Sequence, residues 1–299
     1  MSVLIVGSTA LDSIKTPYRE NPRLLGGSAS HAAVAASFFA PVRLVGIVGD
    51  DFPKPYLRVY RRHGIDLEGL QVAPGKTFHW AGEYEVNMNN RRTLTTELGV
   101  FENFIPNLPA AYRQTPYVLL ANIAPALQHH VLNQMRRPKF VVADTMDLWL
   151  NIALDDLLKL LRRVDAFVLN DSEARQLTQE DNVINAALKI HRLGPKYVIV
   201  KKGEHGAVLS SPKGLFVSPA FPLRNVVDPT GAGDSFVGGL IGYLASHKGP
   251  IEANLKRAMI YGSVVASFCC EGFGVNRTTK VTRKDIERRV KQLTGMVAF

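Results

Sequence analysis

The stretch V-V-D-P-T-G-A-G-D-S-F-V-G-G-L-I-G-Y-L, from Val226 to Leu244, decides how the rest of the chain reads. Asp228-Pro229-Thr230 can neither continue a strand nor sit inside a helix, so a turn falls here. Gly231-Ala232-Gly233 then offers three residues with almost no side chain, and the Gly- and Ala-containing apolar run Phe236 to Leu244 predicts a closely packed, buried helix. The first N–H groups of a helix have no partner inside it and carry the positive end of its dipole. Small residues let an anion reach them, which makes this loop a candidate phosphate or oxyanion cradle. A carboxylate at Asp234 needs a reason to sit in such a cradle. The chemical reason is a base that takes a proton from a substrate hydroxyl while the amides stabilise a transferred phosphoryl group. The local alternative is a helix cap. Two familiar nucleotide loops are excluded: the spacing is not G-x-x-x-x-G-K-[ST], and the glycines do not form G-x-G-x-x-G after an N-terminal strand.

Around this stretch, 299 residues with 46% hydrophobic content suffice for a substantial core, as one large domain or one domain with a small appendage. Met1 to Gly7 has no basic flank and too short an apolar run for a signal peptide, and no segment reaches membrane-spanning length, so a cytoplasmic protein is expected. The two cysteines, Cys269 and Cys270, are adjacent in an apolar helical stretch and read as core thiols. A net charge of +10 would suit a polyanionic partner, but the basic residues are scattered as pairs. The dense run Lys280 to Lys291 also holds Asp285 and Glu287 at helical spacing. It reads as a solvated helix face, and nucleic-acid binding stays a minor reading.

In chain order, Val3 to Val6 is a buried strand ending at Gly7-Ser8, with Asp12 a short loop beyond, where open α/β sheets bind ligands or where a turn residue bonds locally. Ser13 to Leu25 is polar, Pro-punctuated and without periodicity. Gly26-Gly27 precedes a small-residue helix with His31 in its first turn, a second place where backbone can approach a ligand. Val42 to Val48 is another buried strand, followed by Gly49-Asp50-Asp51 and a helix near Lys54 to His63. Leu70 to Leu98 breaks this rhythm: Thr77 to Asn87 and Arg91 to Leu98 alternate as strands around Asn89-Asn90, predicting a hairpin outside the main sheet that serves as a lid or a dimer contact.

Strand–helix alternation resumes with strands at Tyr117 to Ala121, Phe140 to Ala143, Ala166 to Leu169 and Tyr197 to Val200, the mark of a parallel sheet covered on both faces. Polar residues cluster at the strand ends: Asn122, Asp144-Thr145, Asn170 to Glu173 and Lys201 to Gly206. Asn170 and Glu173 can hold a hydrated Mg²⁺ beside phosphates; the alternative is a capping arrangement, with Asp171 or Ser172 as the cap and Glu173 favouring the helix N-terminus. A hairpin, Ala207–Ser210 with Leu215–Val217, leads back to Val226, and two apolar helices follow, ending in Gly272 to Asn276.

These pieces resemble the ribokinase-like (PfkB) carbohydrate kinase family, which includes sugar kinases and adenosine-kinase-type nucleoside kinases. Asp228 to Phe236 is similar to its D-T-x-G-A-G-D signature, supported by Gly26-Gly27, Gly49-Asp50-Asp51, Asn170-x-x-Glu173 and Lys201-x-Gly203-x-x-Gly206 over nearly the whole chain. The resemblance implies a three-layer α/β/α fold with a mostly parallel sheet, one domain over residues 1–299, and a β lid built mainly from about 13–25 and 70–98. It implies Asp234 as the base and the amides of Gly231, Ala232 and Gly233 as the anion hole. It places the acceptor at Asp12, Gly26, Gly27 and His31, and the nucleotide at Thr230, Lys201, Gly203, Gly206, Gly272 and Asn276. Asn170 and Glu173 would organise Mg²⁺ through water or phosphate. ATP and Mg²⁺ are the implied cofactors, with room left for a monovalent cation.

The expected activity is transfer of the γ-phosphoryl group to a hydroxyl of a sugar or polyol. A nucleoside kinase is the same-class alternative, and a non-catalytic ligand-binding protein the alternative from another class. A homodimer through the lid is a further candidate. His31 stands where many sugar kinases carry Asn, and Ala10 where ribokinases carry another, which weakens the case for ribose itself; Pro229 replaces a common Thr.

Overall fold

The structure, a computed structural model, describes residues 1–298. Among these, thirteen strands form a nine-stranded and a four-stranded sheet. In chain order the strands are β1 (Val3–Val6), β2 (Ala10–Lys15), β3 (Glu20–Gly26), β4 (Val42–Gly49), β5 (Asp66–Ala73), β6 (His79–Tyr84), β7 (Arg91–Glu97), β8 (Tyr117–Leu120), β9 (Phe140–Asp144), β10 (Ala166–Asn170), β11 (Tyr197–Lys201), β12 (Ala207–Ser211) and β13 (Gly214–Ser218). The helices are α1 (Ser28–Ser37), α2 (Lys54–Arg62), α3 (Pro125–Gln134), α4 (Asp147–Ile152), α5 (Leu154–Leu161), α6 (Asp171–Thr178), α7 (Val183–His191), α8 (Ala232–Ser246), α9 (Ile251–Cys269) and α10 (Arg283–Val297).

The large sheet runs β13-β12-β11-β10-β9-β8-β1-β4-β5, parallel from β5 to β11 and antiparallel over the β12–β13 hairpin. Its strands are apolar on both faces, and successive side chains point to opposite sides. Val3 and Ile5 therefore join the core under α1, α8 and α9, while Leu4 and Val6 join the core under α3, α5 and α7. The result is the three-layer arrangement expected. The chain leaves β1 toward β4 on one side and returns at β8 on the other, so the strand order reverses beside β1. Crevices at such reversals, outside the carboxyl ends of the strands, are where open α/β sheets take ligands.

Close packing explains the Gly- and Ala-rich sequence of the helix after the opening loop. A Cβ on Gly238 or Gly242 would run into the backbone of Ala32 or Ala36 in α1, and Gly239 lies against Gly262 of α9. Absent side chains bring the three helices together.

The small sheet runs β3-β2-β6-β7. The hairpin β6–β7 lies outside the main sheet, as its alternation predicts. Ser13 to Leu25, aperiodic as sequence, holds the second half of β2 and nearly all of β3, so it contributes to the small sheet. One expectation is corrected: Leu70 to Ala73, assigned to the lid, is the end of β5 at the edge of the large sheet. The Gly49-Asp50-Asp51 motif ties the sheets together. Asp51 accepts hydrogen bonds from the amide and hydroxyl of Thr77 (2.7 and 2.6 Å) and pairs with Arg23 of β3 (2.8 Å), while the Gly49 amide donates to the Thr77 hydroxyl (3.0 Å). The run Lys280 to Lys291 lies mostly on α10, whose N-terminus is closed by a Thr282–Asp285 capping box. No helix among the described residues is long and apolar enough to cross a membrane.

Candidate active site

The loop before α8 turns on Gly231, whose φ of 75° lies in the left-handed region that favours glycine. Gly231 is the N-cap, with no side-chain cap, so Asp234 is not the cap that its position also allowed. Asp234 stands in the first turn of α8 and accepts no hydrogen bond from another residue's side chain. Among the described residues the amides of Gly231, Gly233 and Asp234 donate to no carbonyl, whereas that of Ala232, expected in the anion hole, donates to Pro229 (3.1 Å) and that of Ser235 closes the first turn onto Gly231. These free donors and the uncommitted carboxylate share one corner of the molecule. Asp228 locks the loop: it is fully buried, and its carboxylate accepts from the Thr230 amide (2.8 Å) and from the Gly274 amide (3.0 Å).

Two groups of charges flank Asp234. On the side of the large sheet, Lys201 at the end of β11 pairs with Asp144 at the end of β9 (3.1 Å), and its Nζ lies against Gly233, where a Cβ would approach it to 3.1 Å. Burial alone would pull the Lys201 ammonium down; the Asp144, Glu173 and Asp234 carboxylates more than reverse this and hold it raised and charged. On the side of the small sheet, Asp12 of β2 is 5% exposed and accepts from the Gly27 amide (3.3 Å). Its carboxyl group fills the space a Cβ on Gly26 would need. Burial, reinforced by Asp228 and Asp234 and opposed by the Gly27 amide and Arg91, raises Asp12 to about 7. Asp234 is also raised, by burial, against the opposing pull of Lys201 and Arg91.

His31 packs its imidazole against Gly231, where a Cβ would come within 2.3–2.4 Å of three ring atoms. It is 2% exposed, burial lowers it to about 4, and its Nε2 has no hydrogen-bond partner among the described residues. The Nε2 is thus a neutral, buried ring nitrogen without a partner, and Asp228 is the carboxylate that acts on this imidazole. The small sheet closes over this place. The Thr230 hydroxyl donates to the Tyr84 hydroxyl (3.0 Å), and Phe273 and Val227 pack with Ile14, Leu24, Tyr84 and Trp80. Tyr84→Phe removes this latch without changing shape, at about 0.5–1.5 kcal/mol. It is expected to raise the acceptor KM several-fold with kcat nearly unchanged, as steady-state kinetics would measure.

A cavity of about 500 Å³ lies across the α8 N-terminus from Asp12. Its walls are Lys201 and the turn Gly203 to Ala207, the strap Ala220 to Val226, Ala232, Gly233, one face of α9 and the Asn87–Asn89 turn of the small sheet. The turn needs its glycine at 206, which has φ 83° and faces the Ser218 carbonyl where a Cβ would go.

Lys201, Gly203, Gly206, Ala232 and Gly233 thus line one cavity. Asp12 meets Gly26 and Gly27, His31 meets Gly231, and Asp12 and Asp234 act on each other through their charges, though none of these six lines that cavity. Thr230 lies on the Tyr84 side and does not line the cavity. Gly272 and Asn276 are not at the cavity; their turn instead presents Gly274 to Asp228, and Asn276 is exposed.

Asn170 and Glu173 form a capping box for α6: Asn170 Oδ1 accepts from the Glu173 amide (2.8 Å), and Glu173 Oε2 accepts from the Asn170 amide (2.7 Å). The structural alternative is therefore realised, with Asn170 rather than Asp171 or Ser172 as the cap. Glu173 keeps its second oxygen free, and burial raises it to about 7. Among the described residues no group of three or more His, Cys, Asp or Glu forms a metal cage. This donor set suits a hydrated ion carried on phosphates.

Sequence reasoning missed Asp144 and Arg91. Asp144 was visible as a strand-end polar residue. Arg91 carried no local signal.

The comparisons agree with this geometry. The family model "pfkB family carbohydrate kinase" matches residues 3–281. The chain is 32% identical over 262 residues to a cytidine kinase of Thermococcus kodakarensis, covering 84% of this chain and 91% of that protein. Among solved structures, a Burkholderia thailandensis nucleoside kinase in complex with inosine superposes with a TM-score of 0.78 at 22% identity, over 98% of this chain and 97% of that one. An E. coli putative ribokinase II in complex with ATP and Mg²⁺ superposes with a TM-score of 0.81 at 18% identity, over 97% and 99%. The fold and the site define a phosphotransferase with an alcohol group as acceptor. The chain belongs to the pfkB family of carbohydrate kinases.

Proposed function

We propose that this kinase transfers the γ-phosphoryl group of ATP to a primary hydroxyl on the sugar of a nucleoside, with Asp234 as the base. The observation that carries the chemistry is the Asp234 carboxylate in the first turn of α8, which no other residue's side chain engages, beside the Gly231 and Gly233 amides, which among the described residues donate to no carbonyl. Asp234 accepts the hydroxyl proton as the oxygen attacks phosphorus, and the amides of Gly231 and Gly233 face the charge that builds on the transferred group. Lys201, held charged by its carboxylates, balances phosphate charge from the β11 side. Asp12 and His31 orient the acceptor's hydroxyls through the carboxylate and the unpartnered Nε2. Glu173, with Asn170 at the same helix start, would hold Mg²⁺ through water or phosphate; the ion, when bound, neutralises charge on the β- and γ-phosphates.

The nucleoside is favoured over the free sugar or polyol expected from sequence by the 32% identity to a cytidine kinase over most of both chains. A second support is Trp80, on the inner face of the small sheet with Asp12 as its β2 neighbour. Its indole packs against Gly82 and carries the Arg91 guanidinium 5.7 Å from the ring centroid, which puts an aromatic side chain next to Asp12 in the sheet. An ADP-release screen over nucleosides, sugars and polyols with ATP and Mg²⁺ tests the assignment. Nucleosides should give the highest kcat/KM; a free sugar or polyol exceeding them by tenfold would overturn it.

The acid limb of the pH profile reports the base. Asp234 must be ionised to act, and burial raises it, so kcat/KM falls on the acid side at a higher pH than an exposed aspartate would give. Arg91 favours the ionised form. Arg91→Gln should therefore move the limb to still higher pH, and an unmoved or lowered limb would contradict the site's electrostatics.

A further inference from the structure

Arg289 of α10 lies outside the cavity, yet it is held as tightly as a core residue. Its guanidinium is sandwiched between two rings, 3.6 Å from the Phe268 centroid and 4.7 Å from that of Phe221. It donates to Ser267 Oγ (2.9 Å) and pairs with Glu271 (2.8 Å), which also holds Arg277 (3.3 Å). Phe221 and Ser267 are cavity wall residues. Phe221 belongs to a strap between Ser218 and Gly231 that has no regular secondary structure, so neither a ladder nor a helix holds its ring in place. Besides the apolar cluster of α9 and α10 against which Phe221 packs, Arg289 supplies that hold, and a planar guanidinium can lie between the rings while reaching Ser267 and Glu271 together. The two ends of the cavity differ. Free amides and Lys201 mark the phosphate end, and the Phe221 ring with the small side chains of Ser263, Ala266 and Ser267 on α9 marks the wall assigned to the nucleotide base.

We propose that Arg289 is a positioning residue for the base of ATP, acting through Phe221 and Ser267 from behind the cavity wall. This rests on the assignment of the cavity to ATP made above. Arg289→Ala frees the Phe221 ring and is expected to raise the ATP KM about tenfold, and Arg289→Lys, which keeps the charge but not the planar stack, about threefold. The acceptor KM stays within twofold of the parent in both. That split would not follow from a general loss of stability.

A cycle of Arg289→Lys, Phe221→Leu and the double variant locates the effect, and it stands even if Arg289→Ala fails to fold. If Arg289 acts through Phe221, the double variant is no worse than Phe221→Leu alone. Independent, multiplying effects would overturn the proposal, as would ATP KM values within twofold of the parent in the Arg289 variants. Ala266→Leu, which fills the cavity directly, separates the two levels of the argument. A raised ATP KM in Ala266→Leu with unaffected Arg289 variants rejects Arg289 alone, whereas an unaffected Ala266→Leu rejects the cavity assignment itself.

Discussion

Asp234→Asn is expected to lower kcat by about a thousandfold or more, while ATP still binds with an affinity close to the parent's. The carboxamide keeps the shape and the first-turn position but cannot take the acceptor's proton. The variant should also be at least as stable as the parent. Asp234 is a carboxylate raised by burial, and its removal relieves that desolvation while Asp144 still pairs with Lys201. Single-turnover kinetics, calorimetric ATP binding and a thermal melt separate these effects. Turnover within tenfold of the parent would sink the assignment of Asp234 as base, and lost ATP binding would show that the residue holds the nucleotide instead.

Gly231→Ala carries the second large effect, because it meets two penalties at once. A side chain at φ 75° costs about 1–2 kcal/mol in backbone strain, and the new Cβ clashes with the His31 ring at 2.3–2.4 Å. The ring cannot swing away freely, since its Nδ1 lies 3.7 Å from Cys269 Sγ in a buried contact. With overpacking added, the total is about 2–4 kcal/mol, together with a loss of activity as the anion-binding amides shift. Adding His31→Ala removes the clash but not the strain, so the double variant should recover about half of the lost stability. Denaturant unfolding of the four proteins measures this. A Gly231→Ala protein within about 0.5 kcal/mol of the parent, below the size of a routine surface substitution, would mean that the loop is not held against His31.

The parts of the fold that were legible in sequence are those whose signal is local. Fully apolar runs such as Val3–Val6 and Tyr197–Val200 mark strands buried on both faces, and the structure places them in the parallel sheet. The small sheet was half legible. The alternation read over Thr77 to Asn87 located β6, and β7, exposed along its whole length, follows as its hairpin partner, but β2 carries Asp12 at a buried position, which breaks the alternation that identifies a strand. Strand β5 misled for the opposite reason. It lies at the edge of the large sheet, is partly exposed, and alternates like a strand of a small open sheet.

At the site, Asn170 and Glu173 show how one pattern serves two ends. A carboxylate three residues after an Asn caps a helix whether or not it also faces a ligand, so spacing alone could not choose. Gly272 and Asn276 follow the last long helix closely in sequence, but the turn folds toward Asp228, and the cavity wall is supplied instead by the strap around Phe221.

What the sequence by itself determined is the loop from Asp228 to Asp234: the turn at Pro229, the glycine that a left-handed conformation requires, the free amides at a helix start and the carboxylate among them. These depend on backbone geometry that neighbouring residues impose on one another. The tertiary structure alone decided which charges surround that carboxylate. Arg91 comes from a hairpin folded over the site, and Lys201 with Asp144 from the ends of two separate strands. Arg289 reaches the cavity wall from the last helix. Such convergence is a matter of through-space distance, and electrostatic and packing forces act across space irrespective of position along the chain.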